Sequence, residues 1–213
     1  MPASSGYPYP FHERREVVKL VPHADRLLDV GCGRGGFGFA VRTAAAPVRE
    51  LWGIEPSPEA AAEAQSHFDR VITGTYPDDL TEDAGMFDVA VFNDVLEHMV
   101  DPWSVLEHTR ESVLTEGGTV IASLPNIRFW PTLWDLVVRG RWTYTESGTL
   151  DRTHLRFFTR HEMRSLFTTT GYEVQSITPG YALGSGGLRD RRYRLLPSEL
   201  RTLQYLIVAR RRS

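Results

Sequence analysis

The stretch LLDVGCGRGGFG, Leu27 to Gly38, constrains the fold more than any other part of the chain. An apolar run gives way to five glycines, Gly31, Gly33, Gly35, Gly36 and Gly38. Glycine loses the most conformational entropy on folding and adds no side chain to a core. Its use here predicts a tight turn from a buried strand into a helix, with a main chain that something else must approach closely. The helix that opens at the turn would present unpaired N–H groups. A ligand seated on bare backbone is the expectation.

The rest of the chain alternates helix and strand. HERREVVKLV reads as a helix ending before Pro22, and RLLDV (Arg26 to Val30) as a buried strand. GFGFAVRTAA is the next helix and ELWGIE (Glu50 to Glu55) the second strand. Ser57 followed by Pro58 is a helix-start signal for the Ala-rich SPEAAAEAQSHF. RVIT, FDVAVFN (Phe87 to Asn93) and TVIASLP (Thr119 to Pro125) read as strands three to five, with DPWSVLEHTRESVL a helix stopped at EGG. RHEMRSLFTTTG (helix), YEVQSIT (strand), LPSELRTL (short helix) and LQYLIVAR (strand) follow. Strands interleaved with helices predict an α/β fold with a largely parallel sheet and helices on both faces. Ligands in such sheets bind beyond the carboxyl ends of the strands, where strand order reverses.

Size and composition set outer bounds. The 213 residues, 41% hydrophobic and 24% charged, suit one domain spanning 1–213 with an elaborated insert. A net charge of −3 gives no global signal for nucleic acid. The arginines of RDRRYR (Arg189 to Arg194) and the terminal RRRS are the local exceptions, candidate phosphate contacts or solvated faces. No apolar run approaches the roughly 20 residues of a membrane span, and MPASSGYPYPFHERRE lacks a signal-type apolar stretch. A cytoplasmic protein with no membrane and no nucleic-acid partner, a monomer or homodimer, is the expectation. Cys32, the single cysteine, permits neither an internal disulfide nor a thiolate zinc cluster. A packing role suits it better than nucleophilic chemistry.

Glu55 closes the second strand about 20 residues after the glycine turn, where an acid accepts hydrogen bonds from ribose hydroxyls. Turn and acid together point to an adenosine-containing cofactor in a Rossmann-like fold. The glycine spacing leaves the cofactor open. Gly31, Gly33 and Gly36 satisfy the dinucleotide pattern G-x-G-x-x-G, while Gly31, Gly33 and Gly35 satisfy the G-x-G-x-G of S-adenosylmethionine enzymes.

LLDVGCGRGGFG, GIEPSP, FDVAVFNDVLEHMVDP and LTEGGTVIASLPN stand in order. With these segments the chain, from about Leu27 to Val174, resembles the class I S-adenosylmethionine-dependent methyltransferases. It is most similar to the group that holds the ubiquinone-biosynthesis O-methyltransferases and many sugar and antibiotic-pathway enzymes. The resemblance implies a Rossmann-like seven-stranded sheet with its last strand, LQYLIVAR, antiparallel. It implies S-adenosyl-L-methionine as cofactor and S-adenosyl-L-homocysteine as product. Asp29 and the loop Gly31, Cys32, Gly33 to Gly35 would hold the methionine portion, the acid helping with its ammonium. Glu55 would take the ribose hydroxyls, with Pro56 and Ser57 flanking the adenine. Asn93 and Asp94 would lie at the cofactor's reacting end, and Val95 and Leu96 would line the pocket. Relatives place an acid after the third strand for the adenine amino group. This chain has VITGTYPDD there, which puts Thr75 in that place, with Tyr76 or Asp78 as substitutes.

Transfer to a hydroxyl needs a group that removes a proton, and a histidine suits that task. His154, in LDRTHLRFFT, is the favoured base, with Asp151 near enough in sequence to orient it; His98 is the other candidate. Asp94, Glu97 and His98 stand at i, i+3 and i+4, which would set them on one helical face. With His154 they would make a mixed carboxylate–imidazole set for a divalent ion. Small-RNA 3′-end methyltransferases and some relatives in quinone synthesis carry a similar E-x-x-E-H arrangement. LEH is also common in relatives not known to need metal, where Glu97 and His98 are structural, and no metal is assigned.

Residues 126–158 are too long for a plain connection and rich in aromatics, reading as an acceptor-site cap. Trp130, Trp134, Trp142, Tyr144, Phe157 and Phe158 would stack on an acceptor or fill the insert's own core. Arg128, Arg139, Arg141, Arg152 and Arg156 are interleaved, fitting an anionic acceptor or a wet surface. Tyr7, Tyr9 or Phe11 could lie over the cofactor's sulfonium. Methyl transfer to a small-molecule acceptor, a hydroxyl of a sugar or natural-product intermediate, is the leading expectation. A nicotinamide-dependent oxidoreductase and a non-catalytic cofactor-binding domain stay open. Against the former, the chain has no Tyr-x-x-x-Lys pair and one lysine, Lys19.

Overall fold

The computed structural model describes residues 11–44, 46–81, 84–183, 193 and 195–212. Seven strands form one sheet: β1 (Ala24–Val30), β2 (Val48–Glu55), β3 (Arg70–Thr73), β4 (Phe87–Asn93), β5 (Leu114–Pro125), β6 (Tyr172–Ala182) and β7 (Thr202–Arg211). Their order across the sheet is β3-β2-β1-β4-β5-β7-β6. The first five run parallel, and β7 is antiparallel to both β5 and β6. The expected seven-stranded sheet with an antiparallel last strand is therefore what the chain forms.

The helices are α1 (Arg15–Val18), α2 (Gly36–Thr43), α3 (Pro58–Ala64), α4 (Pro102–His108), α5 (Trp130–Arg139), α6 (Arg160–Thr169) and α7 (Ser198–Arg201). Consecutive residues of a strand face opposite sides of the sheet, and β1 shows it. Leu27 joins a core with Val17, Phe37, Leu51 and Ile121, while Leu28 joins one with Phe87, Phe92, Phe167 and Tyr172. Both layers are closed by helices because strands buried on two faces must be covered on both. Strand order reverses between β1 and β4, whose ends Val30 and Phe92 lie side by side. The crevice at that reversal is the natural binding place of the fold.

Several expected boundaries shift, each for a local reason. The first helix is a single turn, because Arg14 sits in the left-handed region at φ 48° and blocks an earlier start. The helix expected to run to Leu114 stops at His108 and is followed by one wide π turn over Thr109–Val113. There the Thr109 hydroxyl donates to the Val105 carbonyl at 2.7 Å, and such back-bonding loosens a helix. β5 accordingly begins at Leu114 rather than Thr119. Ser57 caps α3 as expected, accepting from the Ala60 amide at 3.3 Å. Segment 126–158 leaves and rejoins the sheet at one point, where Asn126 bridges Phe158. The buried Asn126 amide donates to the carbonyls of Glu199 and Thr202, both at 2.8 Å.

At the opposite end of the sheet Asp88 joins three strands. One carboxylate oxygen accepts from the amides of Asp25 and Arg26 at 2.9 and 3.0 Å, and the other from the Thr115 hydroxyl at 3.3 Å. Asp88→Ala strips two main-chain donors of their partner. It should lower the unfolding free energy by about 1–3 kcal/mol, read from urea denaturation, while leaving the far crevice unaltered.

Candidate functional site

The turn after β1 is built as the glycines require. The Gly31 and Cys32 amides donate to the Ile54 carbonyl at 2.8 and 3.2 Å, which locks the turn onto β2. Gly31 has φ +70°, and a Cβ there would lie 2.7 Å from a Val95 methyl. Gly35, at φ +87°, would meet the Ala64 backbone at 2.9 Å. Only glycine fits such close approach in the left-handed region. Cys32 is buried against Gly53, and burial pushes its thiol far up, so it packs and does not act as a nucleophile.

Glu55 closes β2 beneath this turn and is only 1% exposed. Its carboxylate accepts from the Gly33 amide at 3.0 Å and the Ser57 amide at 2.9 Å. One acid thus ties the glycine loop to the start of α3. Pro56 stands exposed beside it. Asp29, one step before the end of β1, is 1% exposed, and burial drives its carboxyl well above the usual range. The Asn93 amide at the end of β4 favours its charged form. Yet both Asp29 oxygens and both polar atoms of Asn93 are buried short of any completed hydrogen bond. Buried polar groups in folded proteins are normally satisfied. This pair is arranged for something with donors to sit between the ends of β1 and β4.

Other expected residues go elsewhere. Thr75 is exposed and donates its amide and hydroxyl to Asp79, at 2.7 and 3.0 Å. Tyr76 turns inward, bonding the Thr109 hydroxyl at 2.6 Å and packing edge-on against Phe92. Asp94 has φ 54°, and that left-handed step takes it off the helical face it was expected to share with Glu97 and His98. Its carboxylate instead accepts from the Ser123 hydroxyl at 2.8 Å and from Gln204, and it pairs with Arg14. The Arg14 guanidinium also reaches Gln204 at 3.3 Å and lies in the field of Asp29 and Glu97. Arg14 is a site residue that the sequence did not disclose, since its partners lie 80 and 190 positions away.

Glu97, His98 and His154 do come together. Their ligating atoms lie within 4.8 Å of one another. Glu97 has no exposed surface, neither oxygen has a hydrogen bond, and burial lifts its carboxyl to about 8. The His98 and His154 rings meet edge-on at 4.8 Å, and His154 Nε2 stands 3.9 Å from Glu97 Oε1. Burial lowers both imidazoles, so both are held neutral at pH 7. His154 Nδ1 faces the Thr149 carbonyl at 3.2 Å, and His98 Nδ1 the Thr153 carbonyl at 3.2 Å. A carbonyl partner makes Nδ1 the donor and leaves each Nε2 with a free lone pair. Asp151 does not orient the His154 ring as expected: its side chain accepts from the Thr153 amide and hydroxyl, at 2.8 and 2.7 Å. The Glu97 carbonyl accepts from the Leu155 and Arg156 amides at 2.8 and 3.0 Å, which docks the LEH turn against the end of the cap.

The cap's aromatics form two small groups. Trp130 faces Trp134 at 5.5 Å, and Trp142 meets Phe157 at 5.4 Å, with His154 6.4 Å from Phe157. Phe158 belongs to the core. Arg128, Arg139 and Arg152 pair with Glu199, Asp135 and Glu146 rather than standing ready for an anion. Phe11 packs beside Phe39 and His67, at 5.8 Å from each. Tyr7, Tyr9 and all of Arg189 to Arg194 except Tyr193 lie outside the described residues. Arg210 and Arg211 cap carbonyls of Gly117 and Leu114.

Comparison with known proteins agrees with this geometry. Residues 9–177 match the family model described as a methyltransferase domain. The chain is 30% identical over 157 residues to a ubiquinone biosynthesis O-methyltransferase of Vibrio parahaemolyticus, covering 72% of this chain and 66% of that protein. It is 34% identical over 129 residues to the enzyme of the same name from Paraburkholderia phymatum, covering 55% and 54%. The chain therefore spans between about half and about two thirds of these relatives. A solved S-adenosylmethionine-dependent methyltransferase from Archaeoglobus fulgidus shares the fold at a TM-score of 0.68 and 16% identity, covering 97% of this chain and all of that one. The oxidoreductase alternative gives way to the family match. Among the described residues no helix is long and apolar enough to cross a membrane. With its glycine turn, its buried Asp29 and Glu55 and its sheet order, the chain belongs to the methyltransferase-domain family, on the class I S-adenosylmethionine-dependent fold.

Proposed function

We propose that this chain binds S-adenosyl-L-methionine in the crevice between β1, β2 and β4 and methylates an oxygen of a small acceptor held under segment 126–158. The observation that carries the cofactor half is the unsatisfied Asp29–Asn93 pair beside a glycine turn that leaves no room for side chains. A buried carboxylate without donors suits an ammonium, and the cofactor's aminoacyl end supplies one. Glu55, already fixed by two main-chain amides, offers its remaining acceptor capacity to ribose hydroxyls. Arg14 adds a cation at the rim for the aminoacyl carboxylate, with Asp94 holding its guanidinium in place. When bound, the cofactor supplies an activated methyl on a sulfonium. The work left to the chain is alignment, exclusion of water and disposal of one proton.

His154 is the proton acceptor in this reading. Its imidazole is neutral, its Nδ1 is anchored on the Thr149 carbonyl, and its Nε2 keeps a free lone pair. Glu97, protonated beside it, relays that proton only by giving up its own. The relatives' printed names support an oxygen acceptor, and the Phe157 ring beside His154 supports a planar or sugar-like one. A sugar or natural-product hydroxyl remains the reading of choice. A second reading of the same cluster is favoured by the two orphaned Glu97 oxygens facing two imidazoles. A divalent cation held by Glu97, His98 and His154 would satisfy all three and acidify an acceptor hydroxyl.

Calorimetry tests the cofactor half. S-adenosylhomocysteine should bind while NAD gives no heat, and Glu55→Gln should weaken binding by about 10- to 100-fold, the worth of one or two hydrogen bonds to a charged group. No heat from S-adenosylhomocysteine with the folded wild type overturns the reading. The acceptor half is tested by turnover with candidate hydroxyl acceptors. His154→Ala should lower kcat by about 100-fold or more at unchanged cofactor affinity. Activity that is lost in EDTA and restored by Mg²⁺ or Zn²⁺ selects the cation reading, and activity indifferent to EDTA selects the base. Wild-type turnover by His154→Ala removes both.

A further inference from the structure

Helix α5 has no buried residue. Four of its apolar side chains nonetheless fall on one stripe, with Leu136 off it: Trp130, Trp134, Val137 and Val138 stand at i, i+4, i+7 and i+8. Val137 is 77% exposed and Val138 55%, and the chain after the helix adds Trp142 and a Tyr144 that is 55% exposed. A free ten-residue helix is marginal in water even with good propensity, so this arm gains little from standing alone. From the fractional exposures of these residues, the arm offers a surface on the order of 500 Å², against the roughly 800 Å² per partner of an ordinary stable interface. That is toward the upper end of the largest apolar patch on an ordinary monomer, and such patches are often functional.

We infer that this arm is the contact face for a second copy of the chain, two α5 helices lying antiparallel about a two-fold axis near Val137. In such a pairing each residue meets the one equally far beyond the axis, so Trp134 of one chain lies over Gly140 of the other. Gly140 is open on that count, since a Cβ built there meets nothing within 4 Å. A two-fold pairing covers both stripes at once and closes on itself, with no free face left to add further copies. The charge of the arm argues for protein rather than lipid. Residues 128–152 hold four arginines, Arg128, Arg139, Arg141 and Arg152, against three acids, Asp135, Glu146 and Asp151, a balance of +1. An anionic bilayer is held by a cluster of unopposed cations, and here Arg128, Arg139 and Arg152 are each already paired with an acid.

Sedimentation velocity of the full chain between about 1 and 100 µM should show a monomer–dimer equilibrium, as a small, weak interface does. Val137→Asp should raise the dissociation constant at least 30-fold with an unchanged circular dichroism spectrum. Val100→Asp, at a residue 68% exposed but outside the arm, should leave it unaltered. Because the sole native thiol, Cys32, is buried, Val137→Cys should yield a covalent dimer under mild oxidation where Val100→Cys does not. A chain that stays monomeric at 100 µM overturns the inference. So does a dimer that survives Val137→Asp, or a monomer that floats with phosphatidylglycerol-containing vesicles through the same stripe.

Discussion

The structure depends on a tie between a carboxylate and main chain at the point where strand order reverses. Glu55 accepts from Gly33 on one side and Ser57 on the other. These two bonds hold the turn after β1 and the turn after β2 at a fixed separation. The parallel register Val30 to Ile54 then sets where the two strands end. Between those ends the chain leaves main chain, one pinned acid and one unpinned acid, Asp29. The remainder of the sheet keeps that gap from closing: an apolar layer on each face, and Asp88 fastening the opposite ends of β1, β4 and β5. A site made from backbone tolerates little variation in glycine and much variation elsewhere.

The electrostatics of the crevice follow from desolvation. Asp29, Glu97, His98 and His154 all shift toward their neutral forms because burial is the largest cause in each. Arg14 is the cation that opposes this, close enough to be felt by both Asp29 and Glu97. Its guanidinium enters from a segment that precedes the sheet altogether. The crevice is therefore a set of latent charges, neutral while empty of partners and able to ionise when a ligand brings the opposite sign.

What was legible in the chain was whatever local chemistry dictates. Apolar runs of four to eight residues gave β3 and β4 to the residue and the ends of β1 and β2, whose starts lie two residues earlier than expected, and the Ser57–Pro58 pair marked the start of α3. The glycine turn and Glu55 were visible because turn and acid are fixed by near-neighbour geometry. The misses share one physical origin. Asp94 was assigned by helical spacing, but its backbone enters the left-handed region and aims the carboxylate at Ser123 and Gln204. Arg14 was invisible because its partners are brought by tertiary folding. Asp151 lies three residues from His154, yet nearness in sequence says nothing about which carbonyl or carboxylate meets a ring nitrogen. The wide turn at Thr109–Val113 depends on a hydroxyl choosing a carbonyl, which composition cannot forecast.

Asn126 gives the architecture a further property. Its one amide fastens the root of the long insert to the chain at Glu199 and Thr202, just before β7, and its own backbone pairs with Phe158 at the insert's exit. The thirty-one intervening residues are held at this root and once more near their end, where the Glu97 carbonyl accepts from the Leu155 and Arg156 amides. Mutational drift in the stretch between the two anchors has little lever on the sheet, so recognition of new acceptors and preservation of the donor crevice are free to evolve on separate clocks.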